Sequence, residues 1–382
     1  SQIPALQTLQ KVGYHYITAD EAMQMRNHKT SVVLLTNVLK RQLVKINRIQ
    51  YKGKTVPFSE SNIAAGIQAL EEVPMQEGYI HASQYVYDLL TLGKSFEQSI
   101  DGDKKSYTLK YIDWETPGNN VFHVTEEFPV ARSSSKEHYR PDIVLFVNGI
   151  PVVVIECKRP DLKEPLEQAI SQNLRNQQED GIRALYVYSQ LVMAFAVHNA
   201  NFATTGSSKE YWFRWKEKFE NSQRESQHHE ALQQLKNTPL SVKEKDRLFQ
   251  GRYKYVRSYF DHLEKKSCQV TAQDKMIYGL CRPERLLDIM YNFIVYEAGV
   301  KKIARYQQYF VIKKTMTRIS ALNNGKRKGG VIWHTQGSGK SLTMVMLAHA
   351  LALEKSIRNP KIILVTDRVD LDEQLYDTFK KC

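Results

Sequence analysis

The stretch Arg140-Pro-Asp-Ile-Val-Leu-Phe-Val-Asn-Gly-Ile-Pro-Val-Val-Val-Ile-Glu-Cys-Lys158 decides the fold of the first part of this chain. Two runs of apolar residues meet at an Asn-Gly pair, a pattern that predicts a β-hairpin with a tight turn. Ionisable residues stand only near its two open ends. Burying charges in apolar strands costs several kcal/mol unless they are paired or bind a metal. Asp142, Glu156 and Lys158 are therefore candidate functional residues.

The register of the hairpin decides whether these three side chains share a site. Glu156 and Lys158 lie two residues apart, so they project from the same face of a strand. Asp142 joins that face only if the loop has an odd number of residues, such as 148–150, or if the hairpin carries a bulge. A plain two-residue turn at Asn148-Gly149 would place Asp142 on the opposite face.

The sequence on either side of the hairpin predicts an α/β domain with a mixed sheet, ending near residue 220. Apolar periodicity and capping residues predict helices over 5–12, 33–46, 59–70, 83–92 and 165–176. Ser59 or Ser61 caps the third of these, and Gly93 ends the fourth. Alternating and β-branched residues predict strands over 107–112, 120–125, 142–147 and 151–158, and two apolar runs, 184–188 and 193–197, predict further buried strands.

The middle of the chain is polar and then helical. Residues 217–245 are rich in Gln, Glu, Lys, Ser and His and predict a linker or an exposed helical arm. Helical patterns follow over 274–294, with Pro283 at a helix start, and over 303–319. No internal repeat is evident, and residues 217–300 carry no motif that points to a function.

Composition limits the classes of protein to consider. The chain has 382 residues and a net charge of +13, a length that fits two or three domains, and no apolar run that could span a bilayer. Its four cysteines lack metal-ligand or disulfide spacing and no leader precedes Leu6, so we expect a cytoplasmic protein with reduced thiols. The positive charge favours a polyanion such as nucleic acid as partner, although from composition alone it could equally serve solubility.

Two carboxylates and an ammonium group at one sheet edge have a definite chemical use. Carboxylate oxygens are hard ligands that suit Mg²⁺, which keeps several waters when bound. Such a metal makes a water more acidic and neutralises charge on a phosphodiester. Lys158 would then orient the water or stabilise the transition state. The competing interpretation is a surface ion pair of Glu156 with Lys158 or Arg159.

A second motif lies at Gly330-Val-Ile-Trp-His-Thr-Gln-Gly-Ser-Gly-Lys-Ser-Leu342. It predicts a strand over 330–334, a glycine-rich loop, a helix over 340–353 and a further strand over 361–366. Such a loop cradles the phosphates of ATP with the backbone N–H groups of Gly337, Ser338 and Gly339 and with the helix N-terminus. Lys340 reaches the β- and γ-phosphates, and the Ser341 hydroxyl binds the nucleotide's Mg²⁺.

The spacing of the hairpin charges resembles the PD-(D/E)xK nuclease superfamily. The resemblance implies a restriction-endonuclease-like fold, with a mixed sheet flanked by helices. It also implies that Asp142, Glu156 and the main-chain carbonyl of Cys157 bind the metal, and that Lys158 is catalytic.

The helix after the hairpin extends this resemblance. Gln172 is similar to the glutamine of the Gln-xxx-Tyr motif found in RecB-like nucleases and type I restriction subunits, which makes it a fourth catalytic candidate. Asn176 stands where that motif has tyrosine, and this leaves its role open. A polar, solvent-facing side of the helix is the alternative.

The glycine-rich loop resembles that of superfamily 2 helicases, which often lack the first glycine; here His334 replaces it. Arg305-Tyr-Gln-Gln308 resembles the Q-type motif, in which Gln307 or Gln308 would pair with adenine. Residues 363–372 resemble motif Ia, with Thr366, Asp367 and Arg368 at the DNA-facing edge. The competing interpretation of 305–308 is a set of polar side chains on the solvent-facing side of a helix. For 363–372 it is a set of polar residues solvated at the end of a strand.

Together these motifs are similar to the restriction (R) subunit of type I restriction-modification enzymes, over nearly the whole chain. The resemblance implies three parts: residues 1–220, a PD-(D/E)xK endonuclease domain with N-terminal helices; 221–300, a linker and helical spacer; and 301–382, the N-terminal part of the first RecA-like, parallel-sheet motor domain. It implies Mg²⁺-dependent cleavage of double-stranded DNA, ATP-driven translocation, and methylation (M) and specificity (S) subunits as partners. No Asp-Glu-x-His box or second motor domain follows Lys340, so we expect a truncated chain without ATPase activity of its own.

Two other functions remain open. One is a different helicase–nuclease, of repair or phage defence, whose cutting is directed by strand ends; dependence of cleavage on partner subunits would separate it. The other is a non-catalytic DNA-binding and assembly module. Unchanged cleavage after Asp142→Ala or Lys158→Ala would favour that module.

Overall fold

The computed structural model describes residues 1–133, 135–335, 337–357, 359–366 and 369–382. They form two compact units, residues 1–215 with 219–287 and residues 216–218 with 288–382. The helices are α1 (Gln2–Lys11), α2 (Ala19–Met25), α3 (Thr36–Ile46), α4 (Glu60–Glu71), α5 (Tyr79–Leu92), α6 (Pro165–Asn176), α7 (Arg183–Tyr186), α8 (Ser222–Asn237), α9 (Val242–Phe249), α10 (Arg257–Leu263), α11 (Ala272–Leu280), α12 (Pro283–Asn292), α13 (Tyr306–Ser320), α14 (Lys340–Leu353) and α15 (Val369–Lys381). The strands are β1 (His15–Tyr16), β2 (Arg48–Tyr51), β3 (Lys54–Pro57), β4 (Lys94–Ile100), β5 (Asp103–Leu109), β6 (Phe122–Glu126), β7 (Val130–Ala131), β8 (His138–Tyr139), β9 (Ile143–Val147), β10 (Ile150–Cys157), β11 (Leu191–Phe195), β12 (Ala200–Ala203), β13 (Ile294–Glu297), β14 (Val300–Ile303), β15 (Leu322–Asn323) and β16 (Lys326–Arg327).

A six-stranded mixed sheet organises the first unit, in the order β1-β6-β9-β10-β11-β12. Every residue of the two central strands, β9 and β10, is buried, which explains why their sequence is almost continuously apolar. β10 is parallel to β11 and antiparallel to β9. Helix α6 follows β10 after the connection 158–164 and packs on β10 and β11. The α/β class and the mixed sheet predicted from the sequence are confirmed.

The β9–β10 hairpin turns through Asn148 and Gly149, both with positive φ (+53° and +86°), as a two-residue turn of the primed type requires. The loop therefore has an even number of residues. A bulge between Pro151 and Val153 then shifts the pairing, so that Val153 lies opposite Leu145. The bulge was the second of the two geometries expected to bring the charges to one face, and it is the one observed.

Gly149 also fits tightly against the start of α3, and this predicts a stability effect. A Cβ at Gly149 would lie 2.7 Å from the Leu35 carbonyl oxygen and 3.0 Å from the Leu39 amide nitrogen. Gly149→Ala is therefore expected to lower the free energy of unfolding by about 2–4 kcal/mol, because backbone strain adds to a steric conflict. Gly53→Ala, at φ +79° with nothing within 4 Å, should cost only about 1 kcal/mol. Urea unfolding compares the two, and equal losses would contradict the steric part of the prediction.

Most predicted helices of the first unit form, with identifiable ends. Ser59 caps α4 by accepting a hydrogen bond from the Asn62 amide, and α5 ends at Gly93 with φ +77°. Helix α6 spans residues 165–176 as predicted, with Pro165 in its first turn. The polar stretch 217–245 contains the mostly exposed α8, which fits the helical-arm interpretation.

Two segments predicted to be strands of this domain are not part of the main sheet. Residues 183–186 form the short helix α7, so the predicted strand over 184–188 is wrong. Leu185 and Tyr186 are fully buried, and a short buried apolar run fits either type of element. The predicted strand over 107–112 ends at Leu109, and it pairs with β4 in a separate two-stranded sheet.

The second unit contains α13 and α14, the latter beginning at Lys340 as predicted. The hairpin β13–β14 lies between the helices predicted over 274–294 and 303–319. Its end residues, Ile294 and Ile303, are in strands, so the helix prediction is wrong at those two positions. The strands predicted over 330–334 and 361–366 are absent from the described residues. Val331, Trp333 and Val365 expose 91%, 90% and 88% of their surface. A strand forms by pairing with neighbours, and the described residues offer these two segments none.

The division into residues 1–220, 221–300 and 301–382 stays a prediction. Helices α8 to α11 belong to the first compact unit together with the mixed sheet. Asp367 and Arg368 of the predicted motif Ia, and Gln336 of the glycine-rich loop, lie outside the described residues. Among the residues described, no helix has both the length and the apolar character needed to cross a membrane.

Candidate functional site

The open end of the β9–β10 hairpin brings two carboxyl groups together. Asp142 directly precedes β9, and Glu156 is the penultimate residue of β10. Ile143 pairs with Ile155, so the next positions outward, Asp142 and Glu156, are cross-strand neighbours on one face. The Asp142 Oδ2 atom accepts a hydrogen bond of 2.6 Å from the Cys157 amide, which fixes this carboxyl across the strand end.

Glu156 is fully buried, and only one of its two carboxyl oxygens accepts a hydrogen bond from a donor group. Its Oε1 atom accepts a hydrogen bond of 3.0 Å from the Asn176 side-chain amide. Its Oε2 atom is buried and receives no hydrogen bond from a donor group of the described residues; a hydrogen bond with the Asp142 carboxyl forms only when one of the two carboxyls is protonated. An unpaired buried carboxyl oxygen is costly, so this atom points to a missing ligand.

The electrostatics of the pair lead to the same conclusion. Burial, and then the neighbouring Asp142 charge, raise the pKa of Glu156 well above its ordinary value. Burial also raises the pKa of Asp142, against the opposing effects of the Cys157 amide and the Lys158 charge. Two carboxylates so close and so buried cannot both ionise easily without a nearby cation.

Lys158 and Gln172 complete the group that the sequence predicted. The Lys158 ammonium donates a hydrogen bond to Gln172 Oε1 on α6, and the Lys158 amide donates to the Phe195 carbonyl of β11 at 2.8 Å. Asn176, whose role was open, lies one turn further along α6 on Glu156. The helix therefore contacts Glu156 near the end of β10 and Lys158 just after it, and the solvent-face alternative for Gln172 and Asn176 does not describe their contacts.

Two neighbours of this centre were not found from the sequence. The Glu127 amide donates to the Asp142 carbonyl at 3.1 Å, and Glu127 Oε1 lies 3.3 Å from a guanidinium nitrogen of Arg252. The position of Glu127 at the end of β6 was a usable signal, because strand ends meet at one sheet edge. Arg252 has no such signal.

The residues present fit a magnesium ion. In the described part of the chain no three His, Cys, Asp or Glu side chains are grouped to hold a metal. Mg²⁺, however, needs only one or two carboxylates and keeps its waters. Asp142 and Glu156 supply two carboxyls, and the unpartnered Glu156 Oε2 is a free ligand atom.

The second predicted site is the glycine-rich loop before α14. Gly337 and Gly339 have φ of +74° and +81°, the left-handed backbone that such a loop needs. The Ser338 hydroxyl donates to the Thr335 carbonyl at 2.6 Å and lies 3.2 Å from His334 Nδ1. His334 thus closes the loop from the place of the usual first glycine.

The two candidate adenine readers differ in their freedom. Gln308 is buried; its amide nitrogen donates to the Gly339 carbonyl at 3.1 Å, and its oxygen accepts from the Arg305 amide at 2.9 Å. Gln307 is exposed. In this structure Gln308 supports the loop, whereas Gln307 keeps its side chain available.

Comparison with known proteins identifies a family for each of two parts of the chain. The family model described as "Type I restriction enzyme R protein N terminus" matches residues 1–211, and the "SWI2/SNF2 ATPase" model matches residues 307–382. The chain is 30% identical to the type I restriction enzyme HindI endonuclease subunit of Haemophilus influenzae, over 98% of this chain and 32% of that protein. It is 27% identical to the putative type I restriction enzyme MjaIXP endonuclease subunit of Methanocaldococcus jannaschii, over 98% of this chain and 33% of that protein.

The chain thus spans about a third of the length of these curated relatives. The first family match covers residues 1–211 of 382, which is more than half of the chain and includes all of the candidate nuclease residues. The chain therefore belongs to the family of type I restriction enzyme R proteins.

Proposed function

We propose that the chain provides the nuclease and the nucleotide-binding loop of a type I restriction subunit. In this proposal it cleaves double-stranded DNA with Mg²⁺, coupled to ATP-driven translocation, in a complex with methylation and specificity subunits. The observation that carries the proposal is the buried Asp142–Glu156 pair, with its unpartnered Oε2 atom, beside the Lys158 ammonium.

The residues of this centre divide into metal ligands, a hydrogen-bond donor and two supporting side chains. Asp142, Glu156 and the Cys157 main-chain carbonyl would hold Mg²⁺, which supplies Lewis acidity: it neutralises charge on the scissile phosphate and makes a water more acidic. Lys158 donates hydrogen bonds to the attacking water or to the phosphate oxygens as negative charge develops. Gln172 holds the Lys158 ammonium, and Asn176 holds Glu156 in its rotamer.

The loop at residues 334–341 would bind ATP. The N–H groups of Gly337, Ser338 and Gly339 would hold the phosphates at the N-terminus of α14, where the helix dipole favours negative charge. In this structure the Ser338 amide donates to the Thr335 carbonyl at 3.3 Å, a bond that it would exchange for one to a phosphate. Lys340 neutralises the β- and γ-phosphates, and the Ser341 hydroxyl binds the nucleotide's Mg²⁺. Of the two glutamines, exposed Gln307 is the better candidate for pairing with adenine.

The test is DNA cleavage and translocation by the assembled complex with Mg²⁺ and ATP. Lys158→Ala should reduce cleavage by about 10²–10³-fold, because a donor to the developing charge is lost, and should leave translocation intact. Lys340→Ala should abolish both activities, since translocation precedes cutting. Lys40→Ala, an exposed change on α3, is the control. Wild-type cleavage by the Lys158→Ala complex would refute the nuclease assignment, and cleavage without M and S subunits would favour a different helicase–nuclease.

A further inference from the structure

Residues 251–263 carry no motif, yet the fold places them beside the candidate nuclease centre. Arg252 lies 3.3 Å from Glu127, whose amide donates to the Asp142 carbonyl. The next residue, Tyr253, is only 4% exposed, and its hydroxyl has no hydrogen-bond partner among the described residues. This segment is therefore fixed to the sheet edge at which Asp142 stands.

The other side of the same segment is open. Tyr255 and Tyr259 expose 81% and 60% of their surface. Lys254, which follows the buried Tyr253, is exposed as well. Tyr255 lies in the short 3-10 helix Gly251–Val256 that leads into α10, and Tyr259 lies in the first turn of α10. We call Arg252, Lys254, Tyr255 and Tyr259 the 252–259 face.

The charges around the centre indicate what this face contacts. Glu126, Glu127, Asp142 and Glu156 crowd one end of the sheet, and Glu126 is buried with an unpartnered Oε2 atom. Such a cluster repels a polyanion unless cations flank it. Arginine, lysine and tyrosine side chains are common donors to DNA phosphates, and the 252–259 face offers all three types.

Arg257 is not counted in the face, because its guanidinium lies against two carboxylates, those of Asp246 and Asp261. Arg252 is counted because, among the described residues, it pairs with Glu127 alone and its side chain is 56% exposed. Lys245 is likewise engaged with Asp261 and Glu264. These pairs hold α9 and α10 together. Lys254 makes no ion pair among the described residues, so its charge is available to a ligand.

We propose that the 252–259 face binds the phosphate backbone of the DNA duplex that enters the nuclease centre. This inference rests on the proposed function, since it names a contact surface for the substrate of that site. Arg252 would contact the phosphates nearest Asp142, and Lys254 with the two exposed tyrosines would contact phosphates further along the same strand. The face positions DNA; it takes no part in the chemistry.

The experiment measures binding without cleavage. The 382-residue chain is titrated into a short labelled duplex in EDTA at several salt concentrations, and fluorescence anisotropy gives the affinity. The variant Lys254→Glu/Tyr255→Ser/Tyr259→Ser should bind about tenfold more weakly or worse, and the slope of log affinity against log salt should become shallower by about one to two units, because phosphate contacts are lost. Thermal unfolding verifies that the variant folds.

Two controls make the result specific. Lys40→Glu makes the same charge change as Lys254→Glu, on α3, which contacts the hairpin at Gly149 and thus at the end opposite Asp142; it should bind DNA as the wild type does. Asp142→Asn should bind at least as tightly as the wild type, because it removes a negative charge beside the duplex.

Three outcomes would overturn the inference. The first is an affinity and a salt slope that are equal in the triple variant and in Lys40→Glu. The second is an absence of duplex binding by the wild-type chain. The third is a triple variant that binds DNA normally but no longer assembles with the partner subunits. Failure of the proposed function has a different readout, namely continued cleavage by a complex that carries Asp142→Asn.

Discussion

Replacing Glu156 by glutamine is expected to abolish DNA cleavage by the assembled enzyme and, at the same time, to stabilise the metal-free chain. Glu156 is fully buried, and one of its carboxyl oxygens has no partner. Glutamine keeps the shape and the Oε1 acceptor for Asn176, and its amide can donate to the Asp142 carboxylate. The fold loses an unsatisfied carboxyl, whereas the proposed metal site loses a ligand. We expect a cleavage loss of at least about 10²–10³-fold and a stability gain of about 1–3 kcal/mol near pH 8.

The stability gain has a pH dependence of defined sign. Folding raises the pKa of Glu156, so between the unfolded and folded pKa values the folded chain binds more protons than the unfolded chain. Stability contributed by this group is complete below the unfolded pKa and falls as pH rises through the folded pKa. The metal-free wild type should therefore lose stability from about pH 4.5 upward, by as much as about 1.4 kcal/mol per pH unit. Glu156→Gln should remove the Glu156 part of this slope and leave the part that comes from Asp142, whose pKa is also raised.

Urea unfolding in EDTA between about pH 5 and pH 8 measures the effect. Glu60→Gln makes the same substitution at an exposed position in the first turn of α4 and should leave the slope unchanged. A Glu156→Gln chain that is less stable than the wild type at the upper end of this range would show that the pair is satisfied in a way the geometry does not reveal. Mg²⁺ should stabilise the wild type more than the variant.

The hairpin shows how far the sequence leads toward the site. The strands, the Asn-Gly turn and the three charges follow from residue patterns. The register does not, because a plain two-residue turn, a three-residue loop and a two-residue turn with a bulge are all compatible with the pattern. Pro151 gives the bulge a physical reason. Proline has no N–H to donate to the ladder and is tolerated in sheets at bulges. Proline permits a bulge at this position without requiring one, so the sequence alone does not decide the register.

Elements that depend on distant packing were the ones missed. The run at 184–188 was predicted to be a buried strand, and it is mostly buried but lies partly in the helix α7. Its hydrophobicity could not distinguish the two, because either element would be buried. Gln172 was predicted from its position in a motif, but Arg252 was not, because its neighbour Glu127 lies far away along the chain. The sequence thus identified residues that carry local patterns and missed those that tertiary contacts bring to the same site.

A buried carboxylate joins three helices of the first unit, α1, α8 and α11. Asp274 on α11 is fully buried. Its carboxylate lies 2.9 Å from the Lys236 ammonium of α8 and accepts a hydrogen bond of 2.8 Å from the Thr8 hydroxyl of α1. The same carboxylate caps its own helix by accepting from Thr271. Three helices that are distant in sequence therefore meet at one charge.

Lys236→Met is expected to destabilise the first unit by about 3–5 kcal/mol, because it leaves the Asp274 carboxylate buried without its cation. Adding Asp274→Asn should recover part of the loss, since the amide removes the charge and its oxygen can still cap α11. Lys209→Met breaks an exposed pair with Glu167 and should have a much smaller effect, because solvent screens exposed ion pairs.

Urea unfolding followed by tryptophan fluorescence reports mainly on this unit, because Trp114, Trp212 and Trp215 lie in it. If the three helices formed a loosely attached arm, Lys236→Met would cost no more than Lys209→Met. A large loss that the double variant partly reverses would instead show that α1, α8 and α11 unfold together with the sheet. The residues that follow the nuclease hairpin by more than sixty positions would then be part of the structure that holds Asp142 and Glu156 in place.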